Sequence, residues 1–77
     1  MIPLGIWKNS LLTAKVISKL IEIQPNVFRC EIDRPIDAED DYEIYPTSGE
    51  SKKMRILISR YIMESGRHIL EFAETKY

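Results

Sequence analysis

The stretch ILISRYIMESGRHILEF, residues 56–72, constrains the fold more than any other part of this chain. Two runs rich in β-branched and aliphatic residues flank the turn Glu64-Ser65-Gly66-Arg67, a pattern typical of a β-hairpin. A second hairpin is indicated upstream, where residues 15–23 and 27–32 are joined by Gln24-Pro25-Asn26. The chain is therefore predicted to be all-β.

Further strands are predicted at residues 42–45, where Pro46 ends the run, at 52–63 and at 68–73. Within 52–63 the alternation predicts two faces, one with Met54, Ile56 and Ile58, the other with Arg55, Leu57, Ser59 and Tyr61. The alternation fails at Tyr61-Ile62-Met63, which predicts a bulge or sharp bend there. Five short strands joined by hairpins predict a small closed or nearly closed barrel of the OB or SH3-like kind, with an open sheet covered by a helix as the alternative.

Residues 11–24 fit two elements. Apolar residues recur at helical spacing, but the β-branched content and the alternating strand that follows Pro25-Asn26 favour a long, bent first strand. Residues 1–10 contain Pro3 and Gly5 and are predicted to form an irregular N-terminal arm. Within this arm, Trp7 is interpreted as a plug over an open end of the core, with a partner-binding anchor as the alternative.

A chain of 77 residues is expected to form one small domain, covering residues 1–77. Such a core leaves no room for a deep catalytic cleft, so a binding module is predicted rather than an enzyme. Cys30 is the only cysteine and alternates with Arg29 and Glu31, which places it on the inward face and suits a reducing compartment. No signal peptide or membrane span is expected, and the cytoplasm or an organellar stroma or matrix is the predicted location.

The net charge of −1 is unevenly distributed along the chain. Residues 37–51 carry no Lys or Arg and sum to −6, whereas residues 1–36 sum to +2 and residues 52–77 to +3. Pro35 removes a ladder donor, so residues 33–51 are predicted to form an acidic loop region around the short strand at 42–45. The carboxylates of the acidic segment are Asp37, Glu39, Asp40, Asp41, Glu43 and Glu50.

The residues that could carry chemistry are few. His68 stands alone, and the acidic run lacks the glycine hinge and distal glutamate of a calcium loop, so neither a metal site nor a cofactor is predicted. A basic surface with interleaved aromatics is the remaining candidate, because single-stranded nucleic acid is held by phosphate neutralisation and base stacking. The candidate nucleic-acid-binding residues are Phe28, Arg29, Lys52, Lys53, Arg55, Arg60, Tyr61 and Arg67.

Three strings carry a resemblance to a known family. They are IQPNVFRCEI at residues 23–32, SG followed by KKMRIL at 48–57, and ISRY followed by SGRHI at 58–69. These resemble the LPN-FRVEL hairpin, the SG-K-R-K-IRIL segment and the closing SRYD-GRI hairpin of bacterial and plastid translation initiation factor one. The resemblance implies a five-stranded OB barrel that binds ribosomal RNA on the small subunit, with Gly66 approaching the RNA through its backbone.

Two functions are therefore predicted. The first is non-catalytic binding of RNA or the small ribosomal subunit. The alternative is a protein-interaction module, a small subunit, adaptor or inhibitor of a larger assembly, that uses the arm and the acidic loop. Its candidate partner-binding residues are Trp7, Asp37, Glu39, Asp40 and Asp41. RNA binding requires the basic groups to share one face, whereas an inhibitor can present the acidic loop.

Overall fold

The computed structural model describes residues 3–49 and 54–75, which form seven β-strands. The strands are β1 Leu4–Lys8, β2 Leu11–Lys15, β3 Ile21–Gln24, β4 Val27–Ile32, β5 Tyr42–Pro46, β6 Met54–Glu64 and β7 Arg67–Thr75. They pair antiparallel in one sheet, in the order β2-β1-β5-β6-β7-β4-β3. The all-β prediction is confirmed, and the helical alternative for residues 11–24 is wrong. Within the described residues, no helix is long and apolar enough to cross a membrane.

Both predicted hairpins are present. Ser65 and Gly66 join β6 to β7 with φ angles of 52° and 77°. Two consecutive positive φ angles define the turn type whose twist matches paired strands. Asn26, also at positive φ, closes the β3–β4 hairpin, and its side-chain amide donates to the Glu74 carbonyl at 2.9 Å. This bond ties the tip of one hairpin to the end of the other.

The segment 11–24 follows the bent path that the sequence predicts, but it is two strands rather than one. β2 pairs with β1, and β3 pairs with β4 on the far side of the sheet. Between them, a single bridge joins Val16 to Ile32. Two main-chain hydrogen bonds flank this bridge, from Ile17 N to the Glu31 carbonyl at 2.9 Å and from Asp33 N to the Lys15 carbonyl at 3.0 Å. Side chains extend the contact, since Ser18 Oγ accepts from Glu31 N at 2.8 Å and Asp33 Oδ1 accepts from Lys15 N at 2.8 Å.

The prediction of a five-stranded, closed or nearly closed barrel is therefore wrong in strand number, and the sheet is not closed into a barrel. The sheet has seven strands and curls until β2 approaches β4, but one bridge does not make a continuous ladder. The two extra strands have separate origins. One comes from the division of the segment 11–24, and the other is β1, which lies where an irregular arm was predicted.

β1 lies inside the sheet, between β2 and β5, so the prediction of an irregular arm is wrong for residues 4–8. Gly5, one of the two residues on which the prediction of an irregular arm rests, is needed for the packing of this strand. A Cβ atom at this position would lie 2.5 Å from Leu12 Cδ1 and 2.9 Å from Trp7 Nε1. The glycine therefore lets the Trp7 indole lie flat over the sheet, where it stacks on Tyr45 with ring centroids 4.4 Å apart.

The core lies on the inner face of the curled sheet, where alternate residues of the strands converge. Cys30 is buried there, as predicted, and the mid-chain loop contributes one apolar side chain, Ile36. The buried cluster consists of Ile6, Ala14, Cys30, Ile32, Ile36, Tyr42, Ile44, Ile56, Leu70 and Phe72.

The bulge of β6 lies earlier than predicted, between Ile58 and Arg60 rather than at residues 61–63. One extra residue in a strand reverses the face of every residue beyond it. Tyr61 therefore opposes the fully buried Leu70 and faces inward, not outward with Arg55 and Leu57 as the plain alternation predicts. The position of the bulge decides which side chains the outer face presents.

Gly5→Ala is expected to lower the free energy of unfolding by about 1 to 3 kcal/mol, because the new methyl group overpacks the space under Trp7. The measurement is urea denaturation, together with the emission of Trp7, which is the only tryptophan. The emission should shift because the indole is displaced from Tyr45. Gly66→Ala is the control: no atom lies within 4 Å of its Cβ position, and its cost of about 1 kcal/mol arises from positive φ alone. Its Trp7 emission should match that of the wild type, and an unchanged emission in Gly5→Ala would contradict the packing explanation.

Candidate binding surface

Four of the predicted site residues share the outer face of the sheet. Along β7, the buried Leu70 and Phe72 point inward, so Arg67, Glu71 and Thr75 point outward. The strand register adds the remaining arginines, since Arg29 and Arg60 both oppose Glu71 and Arg55 opposes Thr75. We call the outer surface of β5, β6, β7 and β4 the arginine face. Its cations are Arg29, Arg55, Arg60 and Arg67.

Carboxylates occupy the same face. Arg67 donates to both carboxylate oxygens of Glu31, with its Nε 2.8 Å from Oε1 and its second nitrogen 3.4 Å from Oε2. Glu71 lies on β7 directly between Arg29 and Arg60. The register places Glu43 opposite Arg55 and Glu64 opposite Arg67. Four arginines are thus balanced by Glu31, Glu43, Glu64 and Glu71, which leaves the described part of the face with no net charge.

The Arg67–Glu31 contact affects both groups. The hydrogen bond from the guanidinium holds the pKa of the Glu31 carboxyl below its usual value, and the same bond raises the pKa of Arg67. Both groups therefore remain charged through the neutral range. Because Arg67 is largely exposed, solvent screens the pair, and its contribution is to fix the orientation of the guanidinium rather than to stabilise the fold.

Apolar side chains separate the charged positions on the arginine face. Leu57 is 61 % exposed and opposes Ala73, which in turn opposes Val27 on β4. Ile62 opposes Ile69 in a second apolar row. The row of Arg60, Glu71 and Arg29 lies between these two rows. Of these residue types, arginine is enriched in protein interfaces, and the exposed apolar rows beside it offer area that a partner could cover.

The two aromatic residues predicted to stack on nucleic-acid bases point away from this face. Phe28 opposes Phe72 on the inner face, with ring centroids 6.0 Å apart. Tyr61 also faces inward, and its hydroxyl lies 2.7 Å from Nδ1 of His68. Lys52 and Lys53, also predicted to bind nucleic acid, lie outside the described residues.

The residues predicted for a protein partner lie at one end of the sheet. Trp7 is half-buried, and its indole N–H donates to the Tyr45 carbonyl at 3.1 Å. Trp7, Asp41 and Arg55 line one concavity of about 240 Å³. The structure therefore brings Trp7 and Asp41 together beside the arginine face.

Hydrogen bonds and ion pairs hold the acidic loop in a defined conformation. Asp37 Oδ1 accepts from Glu39 N at 3.0 Å, and the Asp37 carbonyl accepts from Asp40 N at 3.1 Å. The Asp40 carboxylate lies 2.6 Å from Lys8 Nζ, and this hydrogen bond raises the pKa of Lys8. The Asp41 Oδ2 atom lies 3.8 Å from a terminal guanidinium nitrogen of Arg55. Within residues 3–49 and 54–75, no three His, Cys, Asp or Glu side chains are arranged to hold a metal ion.

Sequence reasoning missed the glutamates and the apolar rows of the arginine face. Their partners lie on neighbouring strands, up to 42 positions away in the case of Arg29 and Glu71, so no local pattern marks them. Alternation of Arg29 with Glu31 on one strand was the available signal. The chain has no significant match to a family model, a curated protein or a solved structure. The resemblance to translation initiation factor one therefore stays a prediction.

Proposed function

We propose that this protein is a non-catalytic binding module that docks on another protein through the arginine face. One observation carries the proposal: an exposed sheet face on which oppositely charged side chains alternate with apolar rows, without net charge. Such a face gives a partner two rows of apolar area and, between them, charge pairs that set the orientation of docking. The partner that fits it is a folded protein surface that itself carries both signs of charge.

Charge balance favours a protein over a nucleic acid. A polyanion gains affinity from cations that release its counterions, and this gain is cancelled where each arginine has a glutamate beside it. Non-specific binding of single strands also uses aromatic rings on which bases stack. Phe28 and Tyr61, the aromatics expected to do this, face the interior.

RNA or ribosome binding is the second candidate, because Arg29, Arg55, Arg60 and Arg67 do share one face. This is the feature that RNA binding requires, and it agrees with what the resemblance to translation initiation factor one implies. In this alternative, phosphate groups would have to displace glutamates such as Glu31 from their arginines. Binding would then fall steeply with salt.

The test is site-specific photo-crosslinking in the cells that naturally produce the protein. A benzophenone amino acid replaces Leu57 at the centre of the arginine face and, as a matched control, the exposed Ser48 in the loop after β5. The Leu57 position should give a discrete adduct with a protein, resistant to ribonuclease. Arg60→Glu in the same chain should reduce its yield by about tenfold, because a charge at the interface is reversed.

Three outcomes would contradict the proposal. An adduct that ribonuclease removes would favour the RNA candidate. Equal labelling from Ser48 and Leu57 would show that contacts are not confined to the arginine face. If the Leu57 position gave no adduct, this face would have no partner in the cell.

A further inference from the structure

The outer surface of the β6–β7 hairpin is complementary to itself. Of the five outward-facing pairs across these two strands, four either carry opposite charges or are both apolar, and the fifth is Arg55 with Thr75. The four complementary pairs are Arg60 with Glu71, Glu64 with Arg67, Ile62 with Ile69, and Leu57 with Ala73.

This pattern has a consequence for the packing of two copies face to face. Consider a two-fold axis that lies in the interface, parallel to the strands and between β6 and β7. Such an axis places each β6 residue of one copy over a β7 residue of the second copy. That β7 residue is the one that opposes the same β6 position within a single sheet. Arg60 then faces Glu71 of the second copy, and Glu71 faces Arg60 of the second copy, so one complementary pair within the sheet becomes two across the interface.

From this geometry we propose that the partner of the arginine face is a second copy of the chain, in a two-fold symmetric dimer. The inference rests on the proposed function and names the occupant of the same face. Two sheets stack about 10 Å apart with their strands inclined by about 30°. Rows near the crossing point stay matched at this angle, and these are the central rows of Ile62, Arg60 and Leu57.

The side chains suit that separation. Leu57, 61 % exposed in the single chain, would be covered together with Ile62 and Ile69. The long side chains of Arg60 and Glu71 span the space between the sheets. A stable interface needs about 800 Å² from each copy, which is about 15 % of the 5321 Å² surface of the chain.

Charge exchange between copies tests this arrangement. The purified chain should sediment at equilibrium with a mass near 18 kDa, twice its 9.0 kDa. Arg60→Glu places like charges across both central contacts, and it should raise the dissociation constant about tenfold or more. Glu71→Arg should do the same. The control is Arg34→Glu, which makes the same charge change at an exposed loop position away from the face and should leave the dissociation constant unchanged.

Mixing the two variants gives the decisive result. In a mixed dimer, the carboxylate introduced at position 60 of one copy faces the guanidinium introduced at position 71 of the other, and the second contact keeps its native pair. Equimolar Arg60→Glu and Glu71→Arg should therefore associate with each other more tightly than either does with itself. Circular dichroism of each variant alone verifies that its sheet is retained.

Different measurements test the dimer and the proposed function, so failure of one can be distinguished from failure of the other. A wild-type mass of 9.0 kDa up to about 100 μM, a concentration at which a standard-sized interface is occupied, would overturn the dimer. A ribonuclease-resistant adduct with a different protein at Leu57 would then still support docking through the arginine face. Mixed variants that associate no better than the separate variants would overturn the proposed two-fold register.

Discussion

Phe72→Ala is expected to lower the free energy of unfolding by about 3 to 5 kcal/mol. The Phe72 side chain has no exposed surface. It lies at the centre of the inner face, opposite Ile58 on β6 and Phe28 on β4, so its removal leaves a cavity that three strands line. Stability of a chain this short is of the order of 4 to 12 kcal/mol in total. The variant is therefore expected to be close to unfolding at room temperature.

Urea denaturation followed by circular dichroism measures the loss in free energy of unfolding. Two further variants serve as controls. Phe72→Leu retains part of the side-chain volume and should remain folded with a smaller loss, about 1 to 2 kcal/mol. Leu57→Ala truncates an exposed residue on the opposite face of the same strand pair and should change the free energy by about 0.5 kcal/mol or less in the isolated chain. Similar losses for Phe72→Ala and Leu57→Ala would show that the two faces of β6 and β7 are wrongly assigned.

The hairpins could be predicted because their information is local. Ser65-Gly66 and Pro25-Asn26 supply positive φ or a fixed turn within two residues, and β-rich runs flank them. Strand β1 could not be predicted in this way. Gly5 is unfavourable for a strand by propensity, and the contacts with Leu12 and Trp7 that require a glycine exist only after β1 has paired.

The position of the bulge in β6 also depends on strand pairing and could not be predicted from the local sequence. Its position at Ser59 follows from pairing with β7, where both ends of the hairpin must remain in register. From sequence alone, three adjacent large residues at 61–63 were the better candidate. Because the bulge lies at Ser59 and not at residues 61–63, Tyr61 faces inward instead of outward. Tyr61 is therefore not part of the predicted stacking surface.

The candidate binding surface was predictable in its cations but not in its charge balance. Arginines at positions 29, 55, 60 and 67 were recognised, and the register brings them to one face. The pairing of Glu31 and Glu71 with arginines could not be predicted, because the arginines lie on other strands. Three of the four glutamates of this face, Glu31, Glu64 and Glu71, lie in segments whose net charge is positive, so the segment charges do not describe this surface.

Stability should fall as the pH rises from about 9 toward 12, because Cys30 is held as a neutral thiol. Cys30 is 3 % exposed, and burial raises the pKa of its thiol to about 12 from an ordinary value of 9.0. Above pH 9 the unfolded chain loses this proton while the folded chain retains it. The raised folded-state pKa therefore stabilises the fold fully below pH 9, and the contribution is lost by about 1.4 kcal/mol per pH unit until the folded thiol ionises as well.

Urea denaturation of the wild type and Cys30→Ala at pH 8, 9.5 and 10.5 measures this dependence. Lys8 and Tyr42, whose pKa values are also raised, are present in both proteins, so their effects cancel in the comparison. Cys30→Ala should start less stable at pH 8 because of the smaller side chain, and the difference should narrow by roughly 2 kcal/mol by pH 10.5. A constant difference across the series would mean that the thiol ionises in the folded chain as readily as in water, and hence that β4 does not bury it between Phe28 and Ile32.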